Sequence, residues 1–227
     1  ATALGPTLKS KSHKEADLNK RDRVETTGDD AFATTLRRVS KLLGMPVPEV
    51  FKVEGFLGMD IRPTAPPVLV VGDVFLRGAD DGVVAFLLGR TLTWFHPWHV
   101  LAAYFPPDAL RLLLTSAISF VRPANELALE DPEVVAIHKQ LRKHLGTDGE
   151  TSLEKLVGGL TSTSISRWLS GVELTSNHAG LLACGDVKTA LTGLQADPFS
   201  RSRLPKTDQA KELAVYATSS DFAALRR

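Results

Sequence analysis

Arg90 and Trp94 lie four positions apart in the segment FLLGRTLTWFHPWH, residues 86–99, and this spacing is typical of some metal sites. On a helix, residues four apart share a face, and two histidines placed in this way can hold a zinc ion. A guanidinium has no lone pair to share with a metal, however, and an indole nitrogen only donates hydrogen bonds. The spacing of a zinc site is therefore present without the side chains that bind zinc.

Nearby histidines leave a displaced metal site open as an alternative. His96 and His99 are three residues apart, but Pro97 between them disturbs helical geometry. His178 lies five residues after Glu173 and so points away from the face of a helix that carries Glu173. Because a metal site needs three or four ligands, the sequence favours an aromatic turn around the histidine pair. A site rebuilt from the three histidines and Glu173 is the alternative.

Two further candidates for chemistry are nucleophiles. Ser152 and Lys155 fit the S-x-x-K pattern of serine acylases, but the companion K-T-G is missing, since Ala190 stands in place of the glycine. We therefore prefer helix capping by Ser152 or Thr151 and keep a Ser152–Lys155 hydrolase as an alternative. Cys184 lies in the apolar run GLLACGDV, which favours a buried and inert thiol.

Composition limits the classes of function. The chain has 227 residues, 43% of them hydrophobic, which is enough for one sizeable core. Lys plus Arg number 27 and Asp plus Glu number 26, so we expect no nucleic-acid partner. A single cysteine excludes an intrachain disulfide and favours the cytoplasm. The chain begins with Ala rather than Met, which we interpret as a piece of a longer protein.

The first part of the chain combines a tail, a helix and a few strands. Residues 1–27 are polar and poor in large apolar groups, which predicts a flexible linker or tail. Asp29 or Asp30 can cap a helix through AFATTLRRVSKLLG, with Gly44 as its stop. Alternation in EVFKVEG and the β-branched run of PVLVVGDVFLRG predict two or three strands between residues 49 and 77.

From residue 80 onward the pattern is helical. Pro106-Pro107-Asp108 and Asp131-Pro132 are typical helix openings. The predicted helices cover residues 80–95, 98–104, 107–121, 131–145, 151–160, 164–184, 186–194, 206–218 and 219–226. The sequence therefore predicts an α+β fold over residues 28–227, in which a small N-terminal sheet is followed by a mainly helical body.

The most apolar segment, VVAFLLGRTLTWFHPWHVLAAYF, is long enough to be considered as a membrane span. Arg90 and Pro97 interrupt it, and an arginine at the centre of a bilayer is costly. A pair of helices buried in protein is the better interpretation, so we expect no membrane span.

The order of these segments resembles a known family. PVLVVGDVFLRGADDGVVAFLLGRTLTWF followed by GVELTSNHAGLLACGDVKTAL is similar to the gluzincin-type zinc metallopeptidases, in particular the heat-shock and CAAX-prenyl-protease-like family. In that family one helix carries L-G-H-E-x-x-H and a later helix carries E-x-x-[AS]-D. The two histidines and the later glutamate bind zinc, while the first glutamate activates water. The likeness covers residues 30 to 195 and implies a zincin-like body.

Aligned with these two motifs, the chain keeps their order and spacing but lacks most of their catalytic and metal-binding residues. Arg90 lies at the position of the first histidine, Thr91 at that of the general base and Trp94 at that of the second histidine. In the later motif, Glu173 matches the glutamate ligand and Asn177 matches the final aspartate. A threonine hydroxyl is no base at neutral pH. The resemblance thus implies a vestigial site without catalytic residues, metal ligands or cofactor.

Glu173 is the one zinc ligand of the pattern that remains. We predict that the Arg90 cation pairs with it in a partly buried ion pair between two helices, and that Trp94 fills the remaining volume. The predicted function is an inactive, pseudo-peptidase domain that binds or scaffolds a protein or peptide, with the former substrate cleft as its surface. A purely structural helical domain is the third alternative, beside the two hydrolases above.

Overall fold

The computed structural model describes residues 16–122, 131–159 and 164–226. Within them the chain forms a small sheet near its start and a larger set of helices, which confirms the α+β class. The helices are α1 (Ala31–Leu42), α2 (Asp81–Thr93), α3 (Val100–Tyr104), α4 (Pro107–Val121), α5 (Pro132–Gly158), α6 (Ile165–Cys184), α7 (Val187–Ala196), α8 (Lys206–Ala217) and α9 (Ser220–Leu225).

The described residues form one mixed sheet. Its strands are β1 (Arg23–Val24), β2 (Val50–Val53), β3 (Met59–Arg62) and β4 (Val68–Gly72), in the spatial order β1-β2-β4-β3. Strands β2 and β4 are parallel, and the two outer strands are antiparallel to their neighbours. The β-branched run of β4 is buried along its whole length, as expected of a central strand. Three strands thus lie between residues 49 and 77, as predicted.

Helix α1 begins and ends as its sequence indicates. The Asp30 side chain accepts a hydrogen bond from the backbone N–H of Ala33 at 2.9 Å, which satisfies one free donor of the first turn. Gly44 has a φ of 64°, a left-handed conformation that glycine adopts without strain. Both the predicted cap and the predicted stop are confirmed.

Helix α2 is the centre of the molecule. It packs against α1, α6, α7 and β3, and every residue from Val84 to Thr93 is buried. This explains why α2 is apolar on nearly all its faces, since a helix surrounded by protein has no solvent-exposed face that polar residues would occupy. No helix in the described parts of the chain combines the length and apolarity that crossing a bilayer requires.

The crossing of α2 and α6 depends on two glycines. A Cβ atom on Gly89 would lie 2.6 Å from the carbonyl oxygen of Ala179, and one on Gly180 would lie 2.7 Å from the Phe86 ring. Neither position has room for a side chain, so the two helix backbones approach more closely than larger residues allow. This approach brings Arg90, the residue after Gly89, within reach of Glu173, Ser176 and Asn177, which precede Gly180 on α6.

Two predicted boundaries need correction. Within α5, Gly146 has φ 59° and ψ 176°, so helical geometry breaks there and resumes well before residue 151. Near the start of the chain, residues 23–24 pair with β2 and Leu18 packs into the core, although this stretch was predicted to belong to the tail. Residues 1–15 of that tail and residue 160 of the predicted helix lie outside the described residues.

Candidate functional site

The guanidinium of Arg90 projects from α2 into a buried polar cluster between α2, α6 and the loop that joins α7 to α8. Its five N–H bonds face five acceptors. They come from the carboxylates of Glu173 and Asp197, the side-chain oxygens of Ser176 and Asn177, and the carbonyl of Phe199. Arg90 is only 4% exposed, so the complete set of partners is what offsets the loss of water around a buried charge.

Glu173, on α6, accepts hydrogen bonds from Arg90 on one side and from the α7–α8 loop on the other. Its Oε1 is paired with Nη2 of Arg90. Its Oε2 accepts hydrogen bonds from the backbone N–H groups of Arg201 at 2.8 Å and Ser202 at 3.0 Å. The predicted Arg90–Glu173 ion pair is therefore present. It is fully rather than partly buried, because the α7–α8 loop covers it.

Asp197 is a second carboxylate on the same guanidinium, and the sequence interpretation missed it. Its Oδ2 accepts from Nε of Arg90 at 2.6 Å, and its Oδ1 accepts from the backbone N–H of Phe199 at 2.9 Å. Asp197 directly follows α7, in a loop to which no role was assigned. An aspartate before a proline, in a loop that also carries arginines, was the available signal, but it does not indicate that the loop folds back onto α2.

Asn177 extends the cluster from α6 to α8. Its Oδ1 accepts from Nη1 of Arg90, and its Nδ2 donates to Oε1 of Gln209 at 3.0 Å. Gln209 is completely buried and donates in turn to the carbonyl of Leu204 at 2.9 Å. Both ends of each amide are thus used. Asn177 thus links α2, α6 and α8.

Trp94 and Arg201 close the cluster on the side of the sheet. Trp94 is buried in a hydrophobic cluster with residues of α3, α4 and α6, and the Arg201 guanidinium carbon lies 5.3 Å from the Trp94 ring centre, a cation–π contact. Arg201 also pairs with Asp60 on β3 and donates to the carbonyl of Ala103 at 3.0 Å. Trp94 fills apolar space, as predicted, and its ring also supports the covering loop.

The covering loop leaves little space. The ring centres of Phe199 and Phe56 are 5.3 Å apart. A Cβ atom on Gly58 would lie 2.5 Å from a carbon of the Phe199 ring. The cavity that remains beside Arg90, Thr91 and the loop is about 20 Å³, enough for about one water molecule. Residues 197–204 of the same chain lie between β3 and the helix pair, where they contact Asp60, Glu173 and Gly58.

The residues present here do not fit a zinc ion. Zinc needs three protein ligands with free lone pairs. Of the three positions taken from the resemblance, only Glu173 offers such an atom, and both its oxygens already accept hydrogen bonds. The positive charge between the carboxylates is that of Arg90, and Thr91 beside it is buried and has no basic group.

The displaced metal site is not assembled. His96 and His99 lie side by side with ring centres 5.4 Å apart, and Nδ1 of His99 is 3.1 Å from the carbonyl of Thr93. His178 points away from the cluster, where its Nε2 contacts Glu212 at 2.8 Å and its ring stacks on Tyr216 at 3.6 Å. Among the residues that the structure describes, no three His, Cys, Asp or Glu side chains converge to hold a metal.

Ser152 and Thr151 do not cap a helix, contrary to the prediction. Both lie inside α5, and their hydroxyls donate to carbonyls four residues earlier, Ser152 to Asp148 at 2.8 Å and Thr151 to Thr147 at 3.1 Å. Lys155 is exposed on the same helix. The hydroxyl of Ser152 therefore points to the backbone rather than to Lys155, and the S-x-x-K pattern forms no nucleophile–base pair here.

Cys184 is half-buried at the end of α6, and burial raises the pKa of its thiol. Its Sγ donates weakly to backbone carbonyls, including that of Asp186 at 3.4 Å. A raised pKa keeps the thiol protonated near neutral pH and so lowers its reactivity.

Comparison of the chain with models of known protein families, with curated proteins and with solved structures found no match.

Proposed function

We propose that this chain is a catalytically inactive, metallopeptidase-like domain that acts as a protein-binding or scaffolding module. The proposal depends mainly on one observation: the Arg90 guanidinium lies between the carboxylates of Glu173 and Asp197 with each of its N–H groups accepted. A fixed organic cation stands where a peptidase of the resembled family holds a metal. It carries no water that a base could activate.

Two arrangements support a descent from a peptidase frame. The residues matched to the two motifs lie on neighbouring helices, α2 and α6, that cross at Gly89 and Gly180. Strand β3 runs beside this helix pair, and Asp60 on it contacts the cluster through Arg201. A purely structural helical domain with a chance motif match gives no reason for these positions to meet at one point.

The protein-binding part of the proposal needs a surface other than the former cleft. Strand addition requires an open groove beside a sheet edge. Residues 197–204 fill that groove and are held through Glu173, Arg90 and Asp60. We place the partner, a protein or peptide, elsewhere on the domain, and a cytoplasmic location remains part of the proposal.

Metal content and hydrolysis together test this function. The protein is dialysed with and without zinc, its metal is measured by mass spectrometry, and the same samples are incubated with a quenched-fluorescence peptide library. We expect almost no retained zinc and no cleavage above a heat-denatured control. Stoichiometric zinc, or cleavage that a chelator abolishes, would overturn the proposal in favour of a metallohydrolase.

A further inference from the structure

We propose that a groove formed by α1, the end of α6 and α9 binds an acidic peptide segment that carries apolar side chains. This inference rests on the protein-binding part of the proposed function and gives it a surface and a partner chemistry. The groove lies at the ends of these helices, and its lining residues do not include any of the Arg90 cluster. Its volume is about 580 Å³, which is within the range of ligand sites.

The floor of the groove is apolar. It is formed by side chains of three helices, namely Leu42, Leu182, Ala183 and Leu225, with the Cys184 thiol beside them. Leu42 and Leu225 are 44% and 59% exposed. These two exposed leucines, from α1 and α9, provide apolar area that a partner side chain can cover.

The rim of the groove is positively charged. Arg38 and Lys41 come from α1, and Arg226 comes from the end of α9. The Arg38 guanidinium is held in place because its Nη1 donates to the carbonyl of Ala183 at 3.0 Å. Arg226 lies over the Phe222 ring at 5.5 Å, which orients its guanidinium as well. Two of the three cations are thus positioned before any partner binds.

No acidic residue balances these charges among the lining residues that the structure describes. Asp186 is close in sequence, but its carboxylate turns towards the start of α7, where it accepts from the N–H and hydroxyl of Thr189, both at 2.7 Å. The side chains that line the groove therefore carry a formal charge of +3 (Arg38, Lys41, Arg226), in a chain whose formal net charge is +1. Charge complementarity selects an acidic partner.

A peptide fits these features best. Its leucine-like side chains would cover the exposed leucines, while its carboxylates would pair with cations about the rim. Arg38 donates to Ala183 through Nη1 and can take a carboxylate through its other guanidinium nitrogens. Partial burial of the floor makes these pairs stronger than isolated surface pairs.

Fluorescence anisotropy with the labelled peptide Asp-Glu-Leu-Leu-Glu-Asp tests the proposal on the intact chain. We expect saturable binding that weakens as salt rises. Lys41→Glu and Arg226→Glu should each raise the Kd by about tenfold. Lys155→Glu, an exposed charge reversal on α5, is the matched control and should leave the Kd unchanged. Equal effects of all three reversals would show a general charge effect and overturn the site.

The single cysteine of the chain provides an independent readout, because Cys184 lines the groove. Saturating peptide should slow its alkylation by iodoacetamide at least about tenfold, as expected for a site that is mostly occupied. The analogues Lys-Arg-Leu-Leu-Arg-Lys and Asp-Glu-Ser-Ser-Glu-Asp, which lack the charge or the apolar anchors, should not protect it. Protection by all three peptides, or by none, contradicts the proposal.

Vesicles separate a peptide site from a lipid site. If the acidic peptide does not bind but vesicles of phosphatidylserine do, and Lys41→Glu abolishes that binding, the groove recognises a membrane surface and the peptide assignment is wrong. If neither binds while the chain holds no zinc and cleaves nothing, this inference fails and the proposal of an inactive domain stands.

Discussion

The Arg90 guanidinium on α2 contacts the Glu173 carboxylate on α6, and the two side chains are only 4% and 0% exposed. Because water does not solvate either charge, each is stabilised by the other and by the surrounding hydrogen-bond donors and acceptors. Removing one partner of such a pair leaves an uncompensated charge in the interior. Substitution of either residue is therefore expected to be strongly destabilising.

Glu173→Ala should lower the free energy of unfolding by about 3–5 kcal/mol, because it leaves Arg90 and two backbone N–H groups without this acceptor. Glu173→Gln keeps an oxygen for part of this set and should cost less. Urea unfolding followed by circular dichroism measures both. An unchanged unfolding midpoint for the alanine variant would show that the pair does not hold the helices together.

Because Asp197 also pairs with Arg90, replacing the buried ion pair by neutral residues requires a third substitution. Replacing Arg90 by Met and Glu173 by Leu removes both charges of one pair but leaves Asp197 without its cation. We expect this double variant to remain clearly less stable than the wild type. Adding Asp197→Asn removes the last charge and keeps an oxygen for the N–H of Phe199.

The triple variant should therefore recover the part of the loss that comes from the unpaired Asp197 charge, since neutral residues often replace a buried ion pair without cost. The N–H groups of Arg201 and Ser202 remain without their Glu173 acceptor in both variants. Thermal unfolding of the two variants in the same buffer gives the comparison. A triple variant no more stable than the double one would show that Asp197 is not a third member of the charge cluster.

Gly89→Ala tests the close helix crossing. The added Cβ would lie 2.6 Å from the Ala179 oxygen and 2.9 Å from the Ala183 Cβ, so the helices must separate. We expect a loss of about 1–3 kcal/mol in the free energy of unfolding. Gly171→Ala, on α6 with open space around it, is the control. It should gain about 0.5–1 kcal/mol from helix propensity, and equal effects would contradict the packing described.

The two tyrosines should ionise late in the folded chain. Burial raises the pKa of Tyr104 to about 12. Burial and, after it, the carboxylates of Asp221 and Glu212 also raise the pKa of Tyr216. Since the folded state keeps these protons to a higher pH than the unfolded chain does, the stability they contribute is complete below pH 10 and declines as pH rises towards 12.

Absorbance at 295 nm follows this titration. The folded chain should show its tyrosinate signal above pH 10, and the chain in guanidinium should show it near pH 10. In Tyr104→Phe the later part of the folded titration should disappear. Coincident curves for folded and unfolded chain would mean that neither phenol is shielded.

The fold could be predicted where local signals are strong. Asp30, Gly44 and the prolines that open α4 and α5 mark helix ends through their own backbone preferences, and the apolar run of β4 identifies a buried strand. The start of the chain was harder, because β1 is only two residues long and forms through pairing with β2 rather than through its own composition.

Only the helical part of the candidate site could be predicted from the sequence. Arg90 and Glu173 lie on regular helices, and a sequence pattern fixes how helical residues are spaced. Asp197 and Arg201 lie on an irregular loop, whose path depends on tertiary contacts such as the packing of Phe199 on Gly58. No periodicity encodes such contacts, so neither the second carboxylate nor the filled cleft could be deduced from the sequence.

We propose that the Arg90 cation occupies the place of a metal ion in a peptidase-like fold. The most direct measurement is the zinc content of the variant Arg90→His, Thr91→Glu, Trp94→His, with its circular dichroism checked for folding. The account predicts that the folded variant binds about one zinc per chain, that the wild type binds almost none, and that adding Glu173→Ala abolishes the binding. A folded variant that binds no zinc, or whose zinc does not depend on Glu173, would contradict the claim.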